Sequence, residues 1–178
     1  MIILIDGPLC SGKTTTAFHL EQKLSNNDIT RIDSDEERFK ELYNINIREG
    51  DSRKIAQYMN DPFCRNLSRI ILDESHRHDI VILSMCLAGD SAKKYIVDGL
   101  EACDLYHFVL TLSFDALYKR AEADNNPTRD AYNAECLYPR ITKYIKENYQ
   151  SAKRINVENS SASEVVDFIA NTIFLNQC

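Results

Sequence analysis

Gly7-Pro8-Leu9-Cys10-Ser11-Gly12-Lys13-Thr14, set directly behind the apolar run Ile2-Ile3-Leu4-Ile5, matches the pattern G-x-x-x-x-G-K-[ST] at every fixed position. Glycines let the backbone curl until several N–H groups face inward, and the start of a following helix brings positive partial charge to the same place. Such a loop holds the phosphates of a nucleoside triphosphate. In that reading Gly7, Pro8, Leu9, Cys10, Ser11, Gly12, Lys13, Thr14 and Thr15 form the nucleotide-binding segment. Lys13 reaches the β- and γ-phosphates, and the Thr14 hydroxyl ligates magnesium. The context fits, because after Thr14 the apolar positions Ala17, Leu20 and Leu24 recur at helical spacing, while Gln22, Lys23 and Ser25 take the polar side. The bland alternative is an ordinary glycine turn between a strand and a helix.

Four further apolar segments read as strands: Thr30 to Ile32, Ile80 to Leu83, His107 to Leu112 and Ile155 to Val157. The continuous β-branched run at Ile80 is what a central strand covered on both faces requires. Helical patterns lie between them. Asp61 can cap a helix with Pro62 in its first turn and Phe63, Leu67, Ile70 and Ile71 on its apolar stripe. Ser161 and Glu164 have capping-box spacing ahead of Ala162, Val165, Val166, Ile169, Ala170, Ile173 and Phe174, one face of a last helix. Strand and helix alternate, so the expected fold is α/β with five mainly parallel strands, helices on both faces and right-handed crossovers. Ligands of such sheets bind beyond the carboxyl ends of the strands, where Gly7 to Thr14, Asp33 to Asp35 and Ser84 to Gly89 converge. Residues 122–133, rich in Asn and Asp, form a loop or a mobile lid between two helical patterns.

A chain of 178 residues, 44% hydrophobic, suits one domain spanning residues 1–178. Its net charge of −6, without a lysine and arginine stripe, disfavours nucleic acid as a partner. No membrane span and no secretory pattern is evident, which places the chain in the cytoplasm by expectation. Six cysteines lack metal-binding spacing and read as reduced thiols, with Cys10 a small loop residue or an activated thiolate beside Lys13. His19, His76, His78 and His107 read as surface residues.

Asp33-Ser34-Asp35 closes the second strand ahead of the charged helical segment from Glu36 to Glu41. Two carboxylates two residues apart can divide labour, one orienting magnesium and the other accepting a proton from an attacking hydroxyl. Alternatively Ser34 or Asp35 caps the helix.

Together the phosphate loop, this D-x-D and a late Ile155-Asn156-Val157-Glu158-Asn159-Ser160-Ser161 segment resemble the shikimate kinase and gluconate kinase group of small P-loop kinases. The resemblance implies a three-layer P-loop fold with a lid, and an ATP- and magnesium-dependent kinase acting on a small-molecule hydroxyl as monomer or homodimer. It puts Asp33 near magnesium, Asp35 on the acceptor hydroxyl, Arg65 on the acceptor's carboxylate, Arg120 and Arg129 on the transferring phosphoryl group, and residues 159–161 near adenine. Arg120 also reads as a solvated helix arginine beside Glu122 and Asp124. One departure concerns the acceptor wall. Ser84-Met85-Cys86-Leu87-Ala88-Gly89 stands where shikimate kinases carry a glycine triplet, and Ser84 replaces the aspartate of a conventional Walker B strand, leaving the magnesium surroundings to Asp33.

Other functions would each need features of their own. A nucleoside or nucleotide kinase would need a roomier pocket between Asp35 and His78. A switch GTPase would show D-x-x-G and N-K-x-D, and neither is present. A kinase of nucleic-acid ends conflicts with the acidic balance.

Overall fold

The computed structural model describes residues 1–33, 61–124 and 131–175. Their elements run β1 (Ile2–Asp6), α1 (Lys13–Lys23), β2 (Ile29–Asp33), α2 (Asp61–Ser75), β3 (Ile80–Ser84) and α3 (Asp90–Ala92) with a π-helical turn (Lys93–Val97). They continue with β4 (Leu105–Thr111), α4 (Phe114–Ala123), α5 (Ala131–Asn148), β5 (Lys153–Asn156) and α6 (Ala162–Leu175). Asp35, Arg129 and the segment from Glu36 to Glu41 lie outside the described residues. So does the middle of the expected lid: residues 122–123 end α4, residues 131–133 open α5, and 125–130 are not described.

All pairings of the five described strands are parallel, in the order β2-β3-β1-β4-β5. This is the expected doubly wound P-loop sheet with β1 at its centre. Every residue of β1 and β3 is buried, which explains why both read as uninterrupted apolar runs. Alternation then assigns the faces. Ile3 and Ile5 pack with Ala17 and Leu20 of α1, Leu24 just past its end, and Val166, Ile169 and Ile173 of α6. Ile2 and Leu4 pack on the other side with Phe63, Cys64, Leu67 and Ile71 of α2, Ile96, and Ile145 and Tyr149 of α5 and its end. Each fully buried aliphatic side chain contributes about 1.5–3 kcal/mol to this three-layer arrangement.

The sheet differs from the expectation mainly at its edges. β4 begins at Leu105 rather than His107, because Leu105 and Tyr106 already pair with Ile2 and Ile3 while staying half-buried. β5 spans Lys153–Asn156 instead of Ile155–Val157, since this edge strand buries only Ile155 and carries Lys153 and Arg154 exposed. The π-helical turn carries no periodic signal. Gly99 just beyond it is held by contact: a Cβ there would lie 2.4 Å from the Tyr95 carbonyl oxygen. At the last helix the expected capping box forms in full. Ser161 Oγ accepts from the Glu164 N–H at 3.3 Å, and the Glu164 carboxylate accepts from the Ser161 N–H at 2.7 Å.

The end of α2 is tied to the start of β2 through His78, whose Nδ1 lies 2.9 Å from Asp28 Oδ1 and Nε2 3.2 Å from Glu74 Oε2. The hydrogen bond to Asp28, then the two carboxylate charges, raise the His78 pKa above its ordinary 6.5. A raised folded-state pKa contributes stability that is fully present below the unfolded value and fades as pH rises through the folded one. The melting temperature should therefore fall as pH rises from about 6 to about 8. In His78→Gln that part of the slope should be missing; a slope equal to the wild type's would show that His78 does not generate it.

Candidate active site

Register sets the site. Ile5 pairs with Ser84 and Ser84 with Asp33, so the carboxyl ends of β1, β2 and β3 finish level beside the loop that leaves β1. Here the strand order reverses direction around β1, the position where doubly wound sheets bind ligands.

The loop has the backbone its composition implies. Gly7 and Gly12 have φ of +144° and +93°, and Cys10 adopts +54°. Gly7 is also sterically fixed, because a Cβ would sit 2.6 Å from the Leu110 carbonyl oxygen and 2.9 Å from Ser11 Oγ. Gly12 precedes α1 without any side chain capping the helix, so the first N–H groups there are offered to a ligand. Ser11 Oγ is buried and, among the described residues, is the one such side-chain atom without a hydrogen-bond partner. Lys13 Nζ donates to the Pro8 carbonyl at 2.8 Å, folding the ammonium over the loop. An uncapped helix start, an unpaired hydroxyl and a cation around one glycine-lined curl fit a polyphosphate.

Beside the loop, Asp33 is 4% exposed. Its Oδ2 accepts from the Thr14 hydroxyl at 3.0 Å and from the Ser84 hydroxyl at 3.2 Å. The structure thus brings three of the sequence-identified groups together: Lys13 and Thr14 on the loop, and Asp33 on β2. A carboxylate and a loop hydroxyl in contact are a donor set of the hard, oxygen kind that magnesium takes. Ser84 fills the Walker B position by hydrogen-bonding to the carboxylate instead of adding a second one.

Two expected arginines occupy other settings. Arg120 donates from Nη2 to the Val157 carbonyl at 2.7 Å, just past the carboxyl end of β5 and so on the same edge of the sheet as the loop. Arg65 donates to the Tyr95 hydroxyl at 3.1 Å and lies over that ring, 5.2 Å from its centroid. Tyr95 in turn donates to Asp61 Oδ2 at 3.1 Å, and Ser91 donates to Asp61 Oδ1 at 2.5 Å. Asp61 therefore spends its carboxylate on the next helix.

His107 corrects an expectation. It is not a surface residue: its side chain is 9% exposed and its Nε2 lies 3.3 Å from Asp6 Oδ2, because strand β4 turns it inward beside the end of β1. Asp6, Tyr149 and His107 form a buried group that sequence reading missed. The available signal was a carboxylate closing an otherwise wholly apolar strand. Among the described residues the five cysteines form no disulfide. Burial, with the nearby Asp6 charge, pushes the Cys86 thiol up to about 11, so it stays protonated at neutral pH.

A family model described as AAA domain matches residues 3–140. The chain belongs to this family. Among curated proteins, none matches the sequence. Solved structures share its fold. The tunicamycin resistance protein of Deinococcus radiodurans is 17% identical with a TM-score of 0.67, covering 97% of this chain and 94% of its own. Shikimate kinase from Aquifex aeolicus is 19% identical with a TM-score of 0.59, covering 99% and 98%. The deoxyadenosine kinase of M. mycoides is 15% identical with a TM-score of 0.52, covering all of both chains. The small P-loop kinase resemblance therefore holds at the level of the fold. No helix among the described residues is long and apolar enough to cross a membrane.

Proposed function

We propose that this chain is an ATP- and magnesium-dependent kinase that passes a γ-phosphoryl group to a hydroxyl of a small metabolite. The observation that carries the reading is the Asp33 carboxylate, which accepts from Thr14 of the phosphate loop and from Ser84 of the neighbouring strand. A carboxylate held level with the phosphate loop serves a metal and phosphates better than it serves a fold, since a buried charge is otherwise costly. Magnesium bound there offsets the charge of the phosphates. Thr14 and Asp33 would hold it, Lys13 would swing from the Pro8 carbonyl to the phosphate oxygens, and the Gly7 to Thr15 backbone would orient the triphosphate. Asp35 would take the acceptor's proton, and Arg120 and Arg129 would stabilise charge on the phosphoryl oxygens. Positioning and charge stabilisation supply the rate.

The test is a coupled ADP-release screen, with and without magnesium, over hydroxy acids, sugars, aminoglycosides, nucleosides and tunicamycin. The last two classes enter because a deoxyadenosine kinase and a tunicamycin resistance protein share the fold. Magnesium-dependent release with a hydroxylated small molecule supports the reading, release confined to nucleosides moves it to nucleoside kinases, and none with any acceptor removes it.

Arg65 supplies a test of acceptor class. If the acceptor is anionic, Arg65 leaves Tyr95 to hold its carboxylate or phosphate by a two-pronged pair that lysine cannot reproduce. Arg65→Lys then raises the acceptor KM by roughly tenfold, about 1.4 kcal/mol, with the KM for ATP unchanged. Unchanged acceptor kinetics would confine Arg65 to its contact with Tyr95.

A further inference from the structure

Beneath the phosphate loop a second buried carboxylate, besides Asp33, touches both halves of the site, and it does so through backbone N–H groups. Asp6 is fully buried. Its Oδ1 accepts from the N–H of Gly7, the first loop residue, at 2.6 Å and from the N–H of Leu87 at 2.9 Å. Leu87 belongs to the segment from Ser84 to Gly89, which leaves β3 beside Asp33. Its peptide is pinned from the other side as well, because the Leu87 carbonyl accepts from the Tyr149 hydroxyl at 2.5 Å and from the Gly89 N–H at 2.9 Å. His107 braces the assembly. Its Nε2 stands 3.3 Å from Asp6 Oδ2, and its ring meets Tyr149 edge-on at 4.9 Å.

The geometry points to Asp6 as a positioning residue that ties the nucleotide loop to the Ser84 to Gly89 wall, so that ordering one orders the other. The inference rests on the nucleotide-binding reading of the loop. One carboxylate oxygen shared by two backbone N–H groups allows little independent movement of Gly7 and Leu87, because separating them strands a buried charge. A nucleotide that fixes the loop backbone at Gly7 therefore fixes the Leu87 peptide too, on the side of the site where the acceptor would lie. The coupling is reciprocal: whatever orders the wall favours the nucleotide-bound loop by the same factor. Nothing in this role requires Asp6 to touch substrate.

Amide exchange of Leu87 followed by NMR, with Mg·ADP binding measured in parallel by calorimetry, tests the tie on the full chain. In the wild type, saturating Mg·ADP should slow exchange of the Leu87 amide by about tenfold or more. Asp6→Asn, which keeps an oxygen for both N–H groups, should retain that response; Asp6→Ala should lose it although ADP still binds. Tyr149→Phe removes only the hydroxyl on the Leu87 carbonyl and should weaken the response, so it decides the matter if Asp6→Ala fails to fold. Wild-type binding of Mg·ADP with an unmoved Leu87 amide overturns the inference, as does a wild-type response in Asp6→Ala or, failing that, in Tyr149→Phe. No calorimetric binding at all would instead overturn the nucleotide reading, and the inference with it.

Discussion

Lys13→Ala releases ADP roughly 10²–10³-fold more slowly than the wild type, the loss expected when one charge-stabilising donor leaves a pre-organised site. The fold survives the change. Among the described residues the Lys13 ammonium donates to the Pro8 carbonyl at 2.8 Å, and loss of that hydrogen bond costs about 1 kcal/mol, or a few degrees of melting temperature. The two observables therefore separate. Turnover collapses while thermal unfolding barely moves. Calorimetry with ATP adds a third reading, since the loop N–H groups remain and binding weakens less than turnover does. Activity at the wild-type level would remove Lys13 from the phosphates and reduce the loop to a turn. A collapse of activity matched by a collapse of stability would mean that the ammonium's grip on Pro8 is what the loop depends on.

Asp33→Asn shifts the magnesium concentration for half-maximal activity upward by about 10–100-fold and lowers turnover at fixed magnesium by a similar factor. The amide keeps an oxygen that can still accept from Thr14 at 3.0 Å or Ser84 at 3.2 Å, so the strand ends stay together while the charge disappears. That is why asparagine, and not alanine, is the informative change: it isolates charge from packing. A magnesium titration coupled to ADP release provides the measurement, with circular dichroism confirming the fold. Should both the magnesium requirement and turnover stay at their wild-type values, the Asp33 carboxylate is a structural bracket between β2, β3 and α1, and the kinase reading loses its main support.

The interior of this molecule was legible in the sequence and its junctions were not. Ile2 to Ile5 and Ile80 to Leu83 announce buried strands because a strand covered on both faces has no polar positions to spare. The glycines, Lys13 and Thr14 were readable because their chemistry depends on spacing along the chain, and Asp33 because it closes a strand. The start of edge strand β5 reads two residues late and its end one residue late, since at an edge only Ile155 needs to be apolar. The group formed by Asp6, His107, Tyr149 and Leu87 could not be seen, because its members are far apart in sequence and meet only through the β1–β4 pairing and the end of α5. For the same reason the carbonyl partner of Arg120 and the ring beneath Arg65 were invisible. Asp35 and Arg129 lie outside the described residues, and their roles stay with the proposal.

The central place of β1 bears on how the chain is made. Ile2 pairs with Val81 on one side and with Leu105 on the other, so β1 precedes both of its neighbours in the chain and waits for them. Long-range parallel pairing of this kind forms slowly, because distant segments must meet before their contacts reward the lost chain entropy. The phosphate loop hangs from the end of that strand, and its first glycine rests against the Leu110 carbonyl of β4. During synthesis the complete nucleotide motif thus precedes β4 by about a hundred residues and cannot take its shape until β4 has arrived. Nucleotide binding would then select finished molecules over partly folded ones, stabilising only those whose sheet is already closed around β1.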